Sequence, residues 1–200
     1  MKTSKAVVYL ASFFLVLGLS LAAAQQDQNS SSMDKSGKSS PGFSMDDQKF
    51  MKQAADGGMA EVELGQLAVQ KASSNEVKEF GQRMVDDHGK ANQELKTLAG
   101  EKGVTLPSQP TAKHELTKEK LSKLSGDEFD KAYMAEMLKD HKKDVAEFRR
   151  ESQNAKDGDV KKFAAQTLPT LEDHLKQAQS LAPKQTSERS AVQESSAGQR

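Results

Sequence analysis

Cysteine is absent from the 200-residue sequence. That excludes disulfides, thiolate metal sites, cysteine nucleophiles and a lipidated N-terminal cysteine. Tryptophan is absent as well, and eight Phe and two Tyr make up the whole aromatic content. Strands favour aromatic and β-branched residues, so sheet-forming material is scarce, whereas the helix formers Ala, Lys, Glu, Gln and Met are plentiful. Excess charge of one sign is missing too, since 29 basic residues balance 29 acidic ones. Nothing therefore draws the chain as a whole to nucleic acid or to an anionic membrane. No nucleophile triad, phosphate loop or nucleotide fingerprint occurs, so no catalytic residue is assigned.

Long apolar runs are missing with one exception. Lys2 and Lys5 precede a nearly unbroken apolar stretch from Ala6 to Leu19, and Ala22, Ala23 and Ala24 come before Gln25. A positive start, an apolar run and then small residues make the pattern of a secretory signal peptide cleaved after Ala24. The run is about 14 residues, short of the ~20 that span a bilayer, so a retained anchor is the weaker alternative. The expected location is the periplasm or the exterior, with no integral membrane segment after cleavage. Residues 25–43 and 183–200 are polar, small and without period. They read as a disordered linker and a disordered tail.

Between them the pattern is helical, and residues 44–182 form the expected domain. A first helix is expected from Ser44 to Ala72, with Phe50, Ala54, Leu64 and Ala68 on its buried face and Gly57-Gly58 in mid-helix. Two mid-helix glycines cost roughly 1 kcal/mol each, and a close helix contact or a kink explains accepting that. A second helix opens with a capping box from Ser73 to Glu76 and carries Val77, Gly81, Met84, His88, Ala91, Leu95 and Leu98 at three-four spacing. Gly103, Pro107 and Pro110 then break the chain, and a short helix is expected near Glu115 to Leu124. A link of about 25 residues can run the length of a bundle, as ferritin-like folds require between their two hairpins. A third long helix starts with a capping box from Ser125 to Glu128, and a fourth follows the Asp157-Gly158-Asp159 turn, with Pro169 expected to kink or divide it. The fold class is all-α: a four-helix bundle with a long connection between helices two and three.

Three of the four histidines, His88, His141 and His174, sit on the apolar seams of three different helices; His114 lies in the connection. Each of the three is near mid-helix, within about one turn, so the imidazoles can meet in one layer whichever way the helices point. Glu61 continues the seam of the first helix to the same depth, while Glu63 points away from it. A buried carboxylate needs a partner, and one divalent ion would satisfy all four groups. Imidazole with carboxylate suits Zn, Fe, Mn, Ni or Cu. Asp87, Asp140 and Asp173 each precede a histidine. An adjacent residue points about 100° away, so these acids are candidates for orienting a ligand across a helix contact rather than for binding the same ion. Met84 and Met137, one turn before a histidine on the same face, keep copper among the candidates.

The stretches AEVELGQLA at 60–68, FGQRMVDDHGKAN at 80–92, FDKAYMAEMLKDH at 129–141 and LPTLEDH at 168–174 resemble the bacterial domain-of-unknown-function family 4142. The resemblance implies a ferritin-like bundle and singles out Glu61, His88, His141 and His174. It implies no activity. Di-iron bundles place Glu three residues before His, but here those positions are Val85, Leu138 and Leu171. A single ion is therefore expected rather than a di-iron centre. Three functions stay open: an exported metal-binding protein in metal homeostasis or stress, an interaction module with a hydrogen-bonded histidine core, and, with less support, a metal-dependent redox enzyme.

Overall fold

The computed structural model describes residues 43–183. The signal segment, all of the linker but its last residue, and the tail beyond Pro183 lie outside the described residues. Five helices follow in order: α1 (Met45–Lys71), α2 (Asn75–Lys102), α3 (Ala112–Ser122), α4 (Gly126–Asn154) and α5 (Gly158–Leu181). Each of the four long helices buries one stripe of apolar side chains, the stripe that the three-four spacing marks. α1 pairs with α2 and α4 with α5 as two hairpins, which meet through α1 against α4 and α2 against α5.

Two apolar clusters fill the bundle. Phe50, Met51, Leu95, Leu98, Phe148, Val160 and Phe163 belong to one. Leu64, Phe80, Met84, Phe129, Tyr133, Met134 and Met137 belong to the other. In the first, the Phe148 ring meets Phe50 edge-on at 5.0 Å. In the second, Phe129 stacks on Tyr133 at 5.6 Å. The order in which each helix visits the clusters fixes its direction. α1 runs from the first cluster to the second, α2 returns, α4 returns again and α5 runs back. Val104 and Leu106 sit with the first cluster and Leu121 with the second, so the link containing α3 runs the length of the bundle, as expected.

The helix starts are built from side chains. Ser44 and Asp47 form a reciprocal capping box, with Asp47 N–H to Ser44 Oγ at 3.1 Å and Ser44 N–H to Asp47 Oδ2 at 2.8 Å. Asp47 also accepts the Lys156 N–H at 2.9 Å, which ties the α4–α5 turn to α1. The two boxes expected elsewhere are different in detail. Ser74, not Ser73, caps α2, because Ser73 turns to Asp130 and donates its hydroxyl at 2.6 Å. Ser125 starts α4 without a side-chain cap, and the helix opens on Gly126 at φ 61°, a left-handed value that glycine tolerates. α5 continues as one helix through Pro169, so the proline does not divide it.

A close helix contact occurs at Gly58 of the glycine pair, and a second lies about two turns further along α1. A side-chain carbon at Gly57 would meet nothing within 4 Å, whereas Gly58 lies against Asn92. The tightest approach of α1 to the α2 backbone is at Gly65 and Gly81, where a carbon added at Gly65 would stand 2.5 Å from the Gly81 carbonyl oxygen.

Candidate metal centre

In all four long helices one polar residue separates the two apolar clusters. On α1, Glu61 lies between Ala55 and Leu64; on α2, His88 lies between Met84 and Leu95. On α4, His141 lies between Met137 and Val145; on α5, His174 lies between Leu171 and Ala178. The structure brings these four residues together in one buried layer. His141 and His174 are fully buried, Glu61 is 3% exposed and His88 6%. The ring centroids of the three histidines stand 5.3 to 5.7 Å apart. Each offers one nitrogen such that the three lie within 4.8 Å of one another.

The outer nitrogens of two rings are already engaged. His174 Nε2 donates to Asp87 Oδ2 at 2.8 Å, and Asp87 is held in turn by Arg83 Nε at 3.2 Å. His141 Nδ1 lies 3.0 Å from the Met137 carbonyl oxygen and 3.3 Å from Glu61 Oε1. Both acceptors can only accept, so they assign the ring protons to His174 Nε2 and His141 Nδ1. The inward nitrogens, His141 Nε2 and His174 Nδ1, then carry lone pairs and face each other at 3.3 Å. Such a pair repels unless a cation, a proton or a metal, stands between. Two nitrogens bound tetrahedrally at about 2.05 Å to one ion would stand about 3.3 Å apart, so this spacing fits a Zn-like site.

Charge supports the same state. Burial, with the neighbouring histidines, carries His174 down to about 4 despite Asp87, and burial also lowers His141. Both rings are neutral at pH 7, the form that binds metal. Burial opposes charge on Glu61, but His88 and His141 outweigh it and bring the carboxyl down to about 2. Burial likewise opposes charge on His88, and Glu61 outweighs it and raises the ring. His88 Nε2 lies 2.9 Å from Glu61 Oε2 without hydrogen-bond alignment, and that nitrogen and both Glu61 oxygens have no hydrogen-bond partner. Three imidazoles and a carboxylate converging in one buried layer match the chemistry of an N,O-ligated transition metal.

Of the three aspartates that precede a histidine, Asp87 alone reaches one, and it reaches His174 on another helix rather than its own neighbour. Asp173 is 68% exposed and lies 3.9 Å from Arg83. Asp140 is mostly buried, and burial with the Glu136 charge raises it to about 6. His114 pairs with Asp56 at 3.4 Å, and Glu63 with Lys118 of α3 at 2.7 Å. Two acids near the layer went unmarked by the seam pattern: Asp144 and Glu147 on α4, which line a cavity with Glu61 and His88. Burial and the Glu61 charge raise Asp144 to about 8. The available signal was its spacing, since Asp144 follows His141 by three residues and so shares its face.

Residues 32–181 match the family described as a domain of unknown function, DUF4142. The chain belongs to the DUF4142 family. No curated protein matches the sequence. Among solved structures, a DUF305 fragment from Deinococcus radiodurans superposes with a TM-score of 0.63 at 13% identity, covering 70% of this chain and 97% of that one. A DUF305 protein from Streptomyces coelicolor gives 0.57 at 14% identity, covering 66% and 87%. CopM in its Cu(II)-bound form gives 0.58 at 18% identity, covering 67% and 93%. At these identities the likeness is one of fold: the DUF4142 chain shares an all-α bundle with them. Among the described residues no helix is long and apolar enough to cross a membrane.

Proposed function

We propose that this DUF4142 protein is an exported metal-binding protein that holds one transition-metal ion in the middle of its bundle. His88, His141 and His174 are the ligands, and Glu61 supplies the carboxylate and the negative charge beside them. The observation that carries this is the pair of inward nitrogens on His141 and His174, 3.3 Å apart, with their ring protons turned outward to Met137 and Asp87. Asp87 orients His174 and raises its basicity, the usual service of a carboxylate behind a metal-bound imidazole. Export rests on the N-terminal order of charge, apolar run and small residues.

The nitrogen set suits Cu(II) and Zn(II), and a Cu(II)-bound neighbour of similar fold makes copper the first ion to try. The role that follows is buffering or sequestering an ion outside the cytoplasm. With the Glu-x-x-His pattern absent, nothing supports di-iron chemistry. One observation favours a metal-free alternative: Asp87, His174, His141 and Glu61 already form a chain of polar contacts, which a single added proton would complete. Elemental analysis after dialysis against Cu(II) or Zn(II) separates the two. One equivalent retained by the wild type and lost in a His88/His141/His174→Ala variant supports the metal centre. Less than about a tenth of an equivalent in the wild type would refute it in favour of the hydrogen-bonded core.

A further inference from the structure

The layer has an acidic approach. A cavity of about 20 Å³, room for one water-sized particle, sits beside the Glu61–His88 pair, among Gly57, Gly58, Asp144 and Glu147. Side-chain exposure falls steadily across it, from Asp144 at 18% and Glu147 at 12% to His88 at 7% and Glu61 at 4%. Glu147 Oε1 and both oxygens of Glu61 are buried without a hydrogen-bond partner, although Lys143 stands 3.9 Å from the other Glu147 oxygen. Three carboxyl groups around one small space disfavour one another's ionisation, and burial strengthens that effect, so a cation entering the space is favoured. Gly57 borders the same space, and a carbon added there meets nothing within 4 Å. Gly57, the first of the mid-helix pair, thus keeps a gap open rather than allowing a helix contact.

We infer that Asp144 and Glu147 form an access route for divalent cations, drawing an ion in past Gly57 and passing it to Glu61 and His88. The inference rests on the metal centre proposed above and adds the path by which the ion arrives. A carboxylate rim concentrates cations and speeds their capture, while the side chains that bind tightly lie deeper. Because a route is used in both directions, blocking it slows loading and release together and leaves affinity alone.

The test uses the mature chain from Gln25 onward, in which Tyr133 is the single tyrosine, and follows quenching of its fluorescence by Cu(II) in a stopped-flow mixer. Gly57→Leu plugs the gap and carries no charge change; its open surroundings and better helix propensity keep the fold intact. The expected result is that loading and EDTA-driven release both slow by about tenfold, with equilibrium affinity within about twofold. Asp144→Asn with Glu147→Gln should slow loading and flatten its dependence on ionic strength. Cu(II) binding at wild-type rates in both variants overturns the route and leaves the centre standing. No Cu(II) uptake by the wild type overturns both.

Discussion

Replacing Gly65 by Ala tests whether the α1–α2 approach sets the geometry of the layer. The added carbon would stand 2.5 Å from the Gly81 carbonyl oxygen and 3.1 Å from both Met84 Cβ and Val85 Cγ2. Non-bonded atoms rest at about 3.5 Å, so the two helices must part by up to ~1 Å. The obstacle is backbone on a packed helix and cannot swing aside. Overpacking of this kind costs about 1–3 kcal/mol, and the site lies at the upper end. Against it stands the helix preference of Ala over Gly, roughly 1 kcal/mol. The net expectation is a loss of about 2 kcal/mol, or roughly 8 °C in Tm for a domain of this size. Gly89→Ala is the matched control: it lies inside α2, meets nothing within 4 Å, and keeps only the favourable part, a gain of up to about 1 kcal/mol. Both are read by thermal and urea unfolding of the metal-free protein. Gly65 is one turn from Glu61, so parting the helices also lengthens the 2.9 Å Glu61–His88 contact and weakens Cu(II) binding. Equal shifts of one sign in the two variants, or full tolerance of Gly65→Ala, would refute the close approach.

His174→Ala should abolish stoichiometric Cu(II) binding in calorimetry, while His114→Ala, in the link and paired with Asp56, should leave it unchanged. Asp87→Asn keeps the size of the partner of His174 but removes its charge, and affinity should fall by about 10–100-fold with the stoichiometry still one. Asp144 is held at about 8 by burial and by Glu61, above its ordinary 3.8. The folded state therefore binds more protons than the unfolded one between these values, and stability from this group is lost as pH rises from about 4 through 8. Asp144→Asn should flatten the pH dependence of metal-free stability in that window and raise stability at pH 8, as measured by urea unfolding. Removing the Asp47 carboxylate with Asp47→Ala leaves the N–H groups of Ser44 and Lys156 without their acceptor and should cost about 1–3 kcal/mol.

The helices were legible because their seams obey one period from end to end, and the depth of the polar layer followed from counting residues along each seam. Glu61, His88, His141 and His174 could be brought together on that basis alone, since mid-helix stays mid-helix in any up-down arrangement. What the period does not contain is rotation about the helix axis at the scale of one hydrogen bond. For this reason the role of Asp87 toward His174 of another helix was distinguishable from the exposed Asp173 only in three dimensions. The α2 cap shifted for a long-range reason. Ser73 had a stronger offer from Asp130 of α4, a partner 57 residues away, and the cap moved to Ser74. Gly57 and Gly58 likewise look alike in sequence, but one faces Asn92 and the other a gap.

The polar layer is expensive as a means of holding a bundle together. Leucine at all four positions would join the two apolar clusters into one and remove the desolvation of an ionised carboxylate. Two explanations for keeping such a layer differ in what they require. A layer kept to specify helix register needs only that its polar atoms satisfy one another. Here they do so poorly: His88 Nε2 and Glu61 Oε2 stand 2.9 Å apart out of hydrogen-bond alignment, and two lone pairs face each other across 3.3 Å. A half-satisfied network is worse than an apolar core, unless the missing partner is a cation. The outward protons point the same way, because Met137 and Asp87 hold the rings of His141 and His174 with their free nitrogens turned in. A register device gains nothing from that orientation. A metal centre depends on it.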